Sequence, residues 1–319
     1  MRRLVLAAAL LAALPPGAQA QAPEWRPDRP MTFVLPYAPG SAADGYSRAM
    51  GEHFTRALGQ TVTVVNRDGA SGTVGMRSVA NAPPDGLTLG ITPMTPVVVQ
   101  PHMVRNLGMG PESFAPVCGI AENILGVVVR ADSPWRSLAD IVAAAKERPL
   151  GYGSPGPNSL PFLGVWRMQR AAGGQFEHVP FRGDPPSMTE VLAGRLDFAA
   201  VVVASASGQI ASGRMRLVGV FSDRRHPDHP DVPTAREQGL DAVQLSFVGM
   251  YAPRATPEPA LAALERACRE SMETPAFREV ASRLNVVAGF RSRADFTRMV
   301  GDEYAAFGTI LPQLGVRPE

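Results

Sequence analysis

The sequence predicts an α/β protein with two lobes, each built on a mostly parallel β-sheet flanked by helices, and a cleft between the lobes. The chain has 319 residues, of which 45% are hydrophobic, and this is enough for two packed cores. Short β-rich runs alternate with helical segments, as in parallel sheets covered by helices. The last segments are all helical, so we expect them to pack back on the first sheet.

Residues 1–20 are predicted to be an export signal. A positive start at Arg2 and Arg3 precedes an apolar run over 4–14, and Ala18-Gln19-Ala20 is a small-residue cleavage site. The apolar run is too short to cross a hydrocarbon core of about 30 Å. We therefore expect cleavage after Ala20 and a periplasmic mature protein that begins at Gln21 and is not membrane-embedded.

The charge balance argues against several classes of protein. The net charge of +2 includes the two arginines of the signal, so the mature value is 2 − 2 = 0. A nucleic-acid binder usually carries a basic face, and we expect no nucleic-acid partner. Lys146 is the only lysine in the sequence, so a phosphate-loop or Schiff-base lysine has almost no candidate.

The first lobe is predicted over 21–120 plus 248–319, and the second over 121–247. In the first lobe we expect strands over 31–37, 61–66 and 87–92 and helices over 42–58 and 72–81. A continuous run over 115–130 and the segment 245–253 are expected to cross between lobes, near Val117 and Val248. In the second lobe we expect strands over 150–154, 177–181, 196–203 and 215–222 and helices over 159–172 and 185–192, ended by a Pro-rich loop over 224–233. Only helical patterns follow residue 253, over 258–270, 275–284 and 293–310.

One loop has the pattern of an anion-binding helix start. Residues 36–44 end a strand, turn through Pro39-Gly40 and open a helix, and Ser41 with Asp44 fits a capping box. Such a start presents unpaired N–H groups and about half a positive charge to a carboxylate. An ordinary capped loop explains the same residues equally well.

Similar loops recur at 68–72, 154–159 and 182–186, each after a predicted strand and before a helix. In open α/β sheets ligands bind at the carboxyl ends of the strands, so several such loops are expected to surround one small anion. Arg182 and Arg67 are the nearest cations, although arginine is also the default surface residue of this chain.

Three other patterns are discounted, and no metal or cofactor is expected. The G-x-G-x-x-G pattern at 151–156 contains Pro155 inside the turn, which argues against a dinucleotide site. His226 and His229 are separated by Pro227 and have no third histidine or cysteine nearby. There is no G-x-S-x-G motif. Pairing of the two cysteines, Cys118 and Cys268, is left open.

A series of short motifs resembles one family along nearly the whole mature chain. They lie at 34–40 with Asp44, 65–67 with Gly69, Gly72 and Gly75, 84–89, 179–183, 192–197, 231–234 with Glu237 and Gly239, and 251–253. In this order they resemble the solute-binding receptors of tripartite tricarboxylate transporters, the Bug family.

The resemblance implies a two-lobed periplasmic binding protein (type II-like) that closes as a Venus flytrap on a small carboxylated molecule. It implies a monomer without catalysis that serves the membrane permease of a tripartite tricarboxylate-type transporter. The implied ligand contacts are Tyr37, Pro39, Gly40, Ser41, Ala42, Ala43, Asp44, Ser71, Gly72, Ser154, Gly156, Asn158, Ser159, Phe181, Arg182, Gly183 and Val202. An exported α/β enzyme with an unrecognised site and a signalling receptor are the alternatives.

The sequence departs from the family pattern at several of these positions. Ser41 replaces a usual glycine, Phe162 a frequent histidine and Phe307 a usual tryptophan, and Val201 or Val202 stands where a polar residue often faces the ligand. The second-lobe wall is therefore expected to be more apolar, which argues against a citrate-like, highly charged ligand.

Overall fold

The structure, a computed structural model, describes residues 25–37, 39, 42–156, 159–181, 184–283 and 286–316. The strands are β1 Met31–Leu35, β2 Val62–Asn66, β3 Thr88–Pro93, β4 Phe114–Glu122, β5 Leu125–Arg130, β6 Leu150–Ser154, β7 Phe176–Pro180, β8 Phe198–Val202, β9 Met215–Val220, β10 Phe247–Pro253 and β11 Val287–Arg291. The helices are α1 Ala42–Leu58, α2 Thr73–Ala80, α3 Gln100–Met103, α4 Leu138–Glu147, α5 Leu160–Ala172, α6 Asp184–Leu192, α7 Val203–Ala211, α8 Glu258–Glu273, α9 Pro275–Arg283 and α10 Arg293–Gln313. The predicted signal segment 1–20 and its cleavage site lie outside the described residues.

Two sheets form the framework and confirm the predicted fold class. The first has the strand order β11-β4-β10-β3-β1-β2 and the second β7-β6-β8-β5-β9. Both are mixed, whereas the sequence analysis expected mostly parallel sheets. β10 and β11 begin at the edge where β3 and β4 end, so they run antiparallel to their neighbours. β5 likewise begins where β8 and β9 end.

The chain passes between the sheets at two adjacent points. Asn123 and Ile124 connect β4 directly to β5, and the segment after β9 leads back into β10. The two connections are hydrogen-bonded side by side, since the Asn123 amide donates to the Ser246 carbonyl (2.8 Å) and the Phe221 amide to the Leu125 carbonyl (2.8 Å). This arrangement brings the ends of both sheets to one crevice.

Two elements differ from the sequence expectations. β11 follows residue 253, where only helical patterns were expected. It is a five-residue edge strand with mostly half-buried side chains, so it lacks the alternation that identifies a strand from sequence. α7 begins at Val203, at the end of a predicted strand, because β8 leads into it without a loop.

Buried clusters cover both faces of each sheet. On the first sheet, α1, α8 and α9 cover one face with Phe54, Leu264 and Phe277, and α2 and α10 cover the other with Met76 and Phe296. On the second sheet, α4 and α5 cover one face and α6 and α7 the other. The helices after β10 therefore pack on the first sheet. Within the described ranges, every helix is too short or too polar to cross a bilayer.

A disulfide connects this tail to the sheet. Cys118 of β4 and Cys268 of α8 are bonded, with their Cα atoms 6.7 Å apart, and both side chains are fully buried. The pairing left open by the sequence is formed because α8 packs directly across β4.

Candidate functional site

A cavity of about 280 Å³ lies at the crevice edge of the first sheet, where β3 ends and β10 begins. Its described lining residues are Tyr37, Ala43, Tyr46, Pro93, Ala121, Asn123, Val248 and Val286. Sequence analysis names Tyr37 and Ala43 among them. The remaining lining residues come from α1, from other strands of the first sheet and the residue before β11, and from the crossover. Short sequence patterns do not reveal the strand order that brings these elements together. Tyr37, which follows β1, and Ala43, in the first turn of α1, therefore border this cavity.

Two phenol groups, those of Tyr37 and Tyr46, line this cavity. Burial raises the pKa of Tyr37, and a side-chain hydrogen bond with Thr92 partly opposes this. Burial also raises the pKa of Tyr46, and Tyr37 adds to the effect. Both hydroxyl groups are therefore neutral at physiological pH. They can donate to or accept from a ligand without contributing charge.

Gly72 allows Tyr37 to take this position. Its φ of 90° lies in the left-handed region, and an added Cβ would come within 3.2 Å of the Tyr37 hydroxyl. Ser71 also has a left-handed φ and is exposed, and Pro39 is exposed. Gly72, at the end of the segment 68–72, thus lies against Tyr37.

Asp44 is engaged within the protein. Its carboxylate accepts from Arg48 Nη2 (2.9 Å) and Nε (3.1 Å) and from Asn66 Nδ2 (3.2 Å). Asn66 Nδ2 also donates to the Tyr37 carbonyl (3.0 Å). This network connects the start of α1 and the end of β2 to Tyr37, just after β1. Ser41, its predicted capping partner, lies outside the described residues, as do Gly40, Asn158, Arg182 and Gly183; Ala42 is described as the first residue of α1.

The second group of predicted residues meets at the end of β6. The fully buried Ser154 Oγ donates to or accepts from Ser159 Oγ (3.4 Å) and reaches the Gly156 carbonyl (3.3 Å). The Phe181 amide donates to the Ser154 carbonyl (2.9 Å). Ser159 caps α5 by accepting from the Phe162 amide. Hydrogen bonds therefore hold the end of β6 to Gly156, to the start of α5 and to Phe181 at the end of β7.

His178 is a member of this group that sequence reasoning missed. Its Nε2 lies 2.7 Å from Ser154 Oγ, and its ring packs between Tyr152 and Phe162. Burial lowers the pKa of His178, so the ring is neutral at pH 7. A Ser–His contact also occurs in hydrolases, but a nucleophile must reach its substrate, and Ser154 is 0% exposed. The Ser154–His178 contact therefore stabilises the pairing of the ends of β6 and β7.

Val202 lies at the start of α7, where its amide donates to Asp184 Oδ2 (3.2 Å). Asp184 begins α6, directly after the predicted contacts at 182–183. Burial raises the pKa of Asp184, while hydrogen bonds from Ser205 and the Val202 amide oppose this. Asp184 therefore connects the end of β8 to the start of α6.

The structure thus forms two groups at facing sheet edges. The described residues that line the 280 Å³ cavity belong to the first sheet, its helices and the crossover, and the second-sheet loops are not among them. A larger groove of about 670 Å³ lies between α5 and α10, and none of its described lining residues is a predicted contact. Across the described part of the chain, no group of three His, Cys, Asp or Glu side chains is placed to hold a metal ion.

Comparison with known proteins identifies the family. Residues 46–316 match the model of the tripartite tricarboxylate transporter family receptor. The chain belongs to this family. A UPF0065 protein of Bordetella pertussis is 30% identical to this receptor over 322 aligned residues, covering 100% of this chain and 98% of the relative. The family resemblance inferred from the sequence motifs is confirmed.

Solved structures of related proteins share the fold. A TctC solute-binding protein from Polaromonas is 26% identical to the receptor with a TM-score of 0.85, covering 90% of this chain and 99% of that one. MatC from Rhodopseudomonas palustris with bound malate is 26% identical with a TM-score of 0.63 (89% and 99% covered). Another R. palustris protein, solved with adipate, is 26% identical with a TM-score of 0.66 (92% and 99% covered).

Proposed function

We propose that this receptor captures a small carboxylated organic molecule in the periplasm and delivers it to the permease of a tripartite tricarboxylate-type transporter. The cavity at the first sheet edge carries the proposal, because it lies beside the start of α1 in a chain of this receptor family. The malate and adipate bound to the two R. palustris proteins support a carboxylate ligand.

The proposal includes the organisation inferred from the sequence. The mature protein begins at Gln21 and acts as a monomer without catalysis. Lobe 1 comprises 21–120 plus 248–319 and lobe 2 comprises 121–247, and the two close on the ligand. N-terminal sequencing of the secreted protein tests the start at Gln21, and its mass in solution tests the monomer. A secreted protein that retains Met1 would contradict cleavage after Ala20.

Ligand binding is tested by thermal unfolding with a panel of mono-, di- and tricarboxylates and amino acids. A ligand at a hundredfold excess over its Kd should stabilise the protein by about 2.7 kcal/mol. Calorimetry then gives the affinity, and chromatography of the recovered ligand should show it unchanged. A panel without any stabilising carboxylate would argue against the proposal, and steady turnover would favour an exported enzyme.

We place the main carboxylate contact at the start of α1, supported by the position of Ala43 in the cavity wall. Ser41→Gly keeps every backbone N–H and should have little effect on affinity, whereas Ser41→Pro removes a donor and should weaken binding strongly. Arg182→Ala tests a contact through the second lobe. Loss of binding in Arg182→Ala, with binding intact in a folded Ser41→Pro, would move the contact to the second lobe.

Delivery to a permease is tested in cells. Deleting the gene should abolish uptake of the ligand found by calorimetry, and a plasmid copy should restore it. Unchanged uptake together with a lost transcriptional response to that ligand would favour a signalling receptor.

A further inference from the structure

The wall of the 280 Å³ cavity is uncharged along its described part. Ala43, Pro93, Ala121, Val248 and Val286 present aliphatic groups. The polar members of the wall are the two phenols and the amide of Asn123. A ligand that fits this wall presents mostly apolar surface to it, because burying charge or polarity without a partner is unfavourable.

The polar groups near the cavity are partly engaged by the protein. Tyr37 is hydrogen-bonded to Thr92, and Asn123 Nδ2 donates to Ser246 Oγ (3.4 Å). The cation nearest along α1, Arg48, pairs with Asp44 through two hydrogen bonds and is itself half exposed. A second anionic group of a ligand would therefore meet aliphatic side chains instead of a positive partner along this wall.

From this wall we infer that the ligand is a monocarboxylate with an apolar body, bound with its single carboxylate toward the start of α1 and its apolar end against Val248 and Val286. The inference rests on the proposed function and narrows its ligand class. It separates this receptor from the two R. palustris proteins, which hold the dicarboxylates malate and adipate.

Matched ligands test the inference by isothermal titration calorimetry on the full mature protein. Hexanoate and adipate share a six-carbon chain but carry one and two carboxylates, and benzoate and terephthalate form a second such pair. Each monocarboxylate that binds should have a Kd at least tenfold below that of its dicarboxylate partner, which corresponds to about 1.4 kcal/mol. 1-Hexanol, without a carboxylate, should bind more weakly than hexanoate.

A positive charge placed in the wall should reduce this preference for the monocarboxylate. Val286 is half-buried at the cavity, so Val286→Arg should strengthen adipate binding, weaken hexanoate binding and narrow the ratio of their affinities at least tenfold. Val104→Arg is the matched control, because Val104 is 36% exposed and is not among the lining residues. The ratio of hexanoate to adipate affinity in Val104→Arg should equal that of the unmodified protein. Circular dichroism checks that both variants are folded.

The outcomes separate this inference from the proposed function. Dicarboxylates that bind as tightly as their monocarboxylate partners, or a folded Val286→Arg with an unchanged ratio, would overturn the inference and leave the carboxylate receptor standing. Failure of every carboxylate to bind would overturn the proposed function and the inference together. If Val286→Arg does not fold, the ligand pairs on the unmodified protein decide.

Discussion

Arg291 of β11 holds the buried carboxylate of Glu122 at the end of β4, with Nη2 2.6 Å and Nε 2.8 Å from Oε1. The same Nη2 donates to both carboxylate oxygens of Asp223 (3.1 Å), which lies just after β9 of the second sheet. Arg224 Nη2 lies 3.1 Å from Glu122 Oε1. These charges connect the two sheets beside the crossover. The edge strand β11 is what brings Arg291 there.

Arg291→Met should destabilise the protein by about 3 kcal/mol, because the buried Glu122 carboxylate would keep only the half-exposed Arg224 as a partner. The Glu122 side chain is only 7% exposed. Arg224→Met is the matched control and should cost about 1 kcal/mol or less, since the Arg224 side chain is 47% exposed. Urea unfolding measures both. Equal losses for the two variants would contradict the assigned role of Arg291.

Glu303→Gln should flatten the pH dependence of stability. Glu303 of α10 lies 3.7 Å from Arg167 of α5, and burial raises the pKa of Glu303 to about 7 and lowers that of Arg167, so burial outweighs their attraction. The ordinary pKa of Glu303 is 4.5. The native state therefore binds the proton more tightly, and the resulting stability is full below pH 4.5 and lost as pH rises through 7.

At about 1.4 kcal/mol per pKa unit, ionisation of Glu303 should lower the free energy of unfolding by about 2 kcal/mol between pH 5.5 and pH 8. Urea unfolding at the two pH values measures this decrease. Glu303→Gln should lack this decrease, whereas Glu147→Gln, at an exposed position of α4, should retain it. An unchanged decrease in Glu303→Gln would assign the effect to another group.

His178→Phe should destabilise the second-sheet loop. It removes the hydrogen bond to the fully buried Ser154 Oγ, which keeps Gly156 and Ser159 as partners, and should cost about 0.5 to 1.5 kcal/mol. His178→Gln can retain a hydrogen bond and should cost less. Urea unfolding at pH 7.5 compares the stabilities of the two variants. A smaller loss of stability for His178→Phe than for His178→Gln would show that the hydrogen bond to Ser154 is unimportant.

The same residue should contribute to acid sensitivity. Burial lowers the pKa of His178 below its ordinary value of 6.5, so the unfolded chain takes up the proton first. The contribution of His178 to stability should therefore fall as pH drops below 6.5 toward the folded-state pKa. His178→Gln, made in the Glu303→Gln variant so that Glu303 does not offset the effect, should reduce that loss of stability between pH 7 and pH 5 in the same assay. A loss as steep as in Glu303→Gln alone would contradict this.

Reducing the disulfide should lower stability by about 2 to 4 kcal/mol, because the bond closes a long loop of the unfolded chain. Cys118 and Cys268 are separated by 150 residues. Urea midpoints with and without reductant measure the effect. The double variant Cys118→Ala/Cys268→Ala should be destabilised and insensitive to reductant. A reductant effect that persists in this variant would have another cause.

Local patterns determined much of the element plan. The helix predicted over 42–58 and the strand predicted over 150–154 have the observed bounds of α1 and β6. Helical periodicity, caps and β-branched runs act over a few residues, so they can be read along the chain. The family motifs are local in the same sense, and they identified the fold class before any contact was known.

Tertiary structure decided the contacts between distant segments. Ser154 and His178 meet because β6 and β7 pair in parallel, and Cys118 meets Cys268 because α8 crosses β4. β11 is a strand only because β4 offers it an open edge. Most of the cavity wall, including Val286, comes from elements brought together by strand order. Strand order depends on which faces bury the most apolar surface, a property of the whole chain that no local pattern contains.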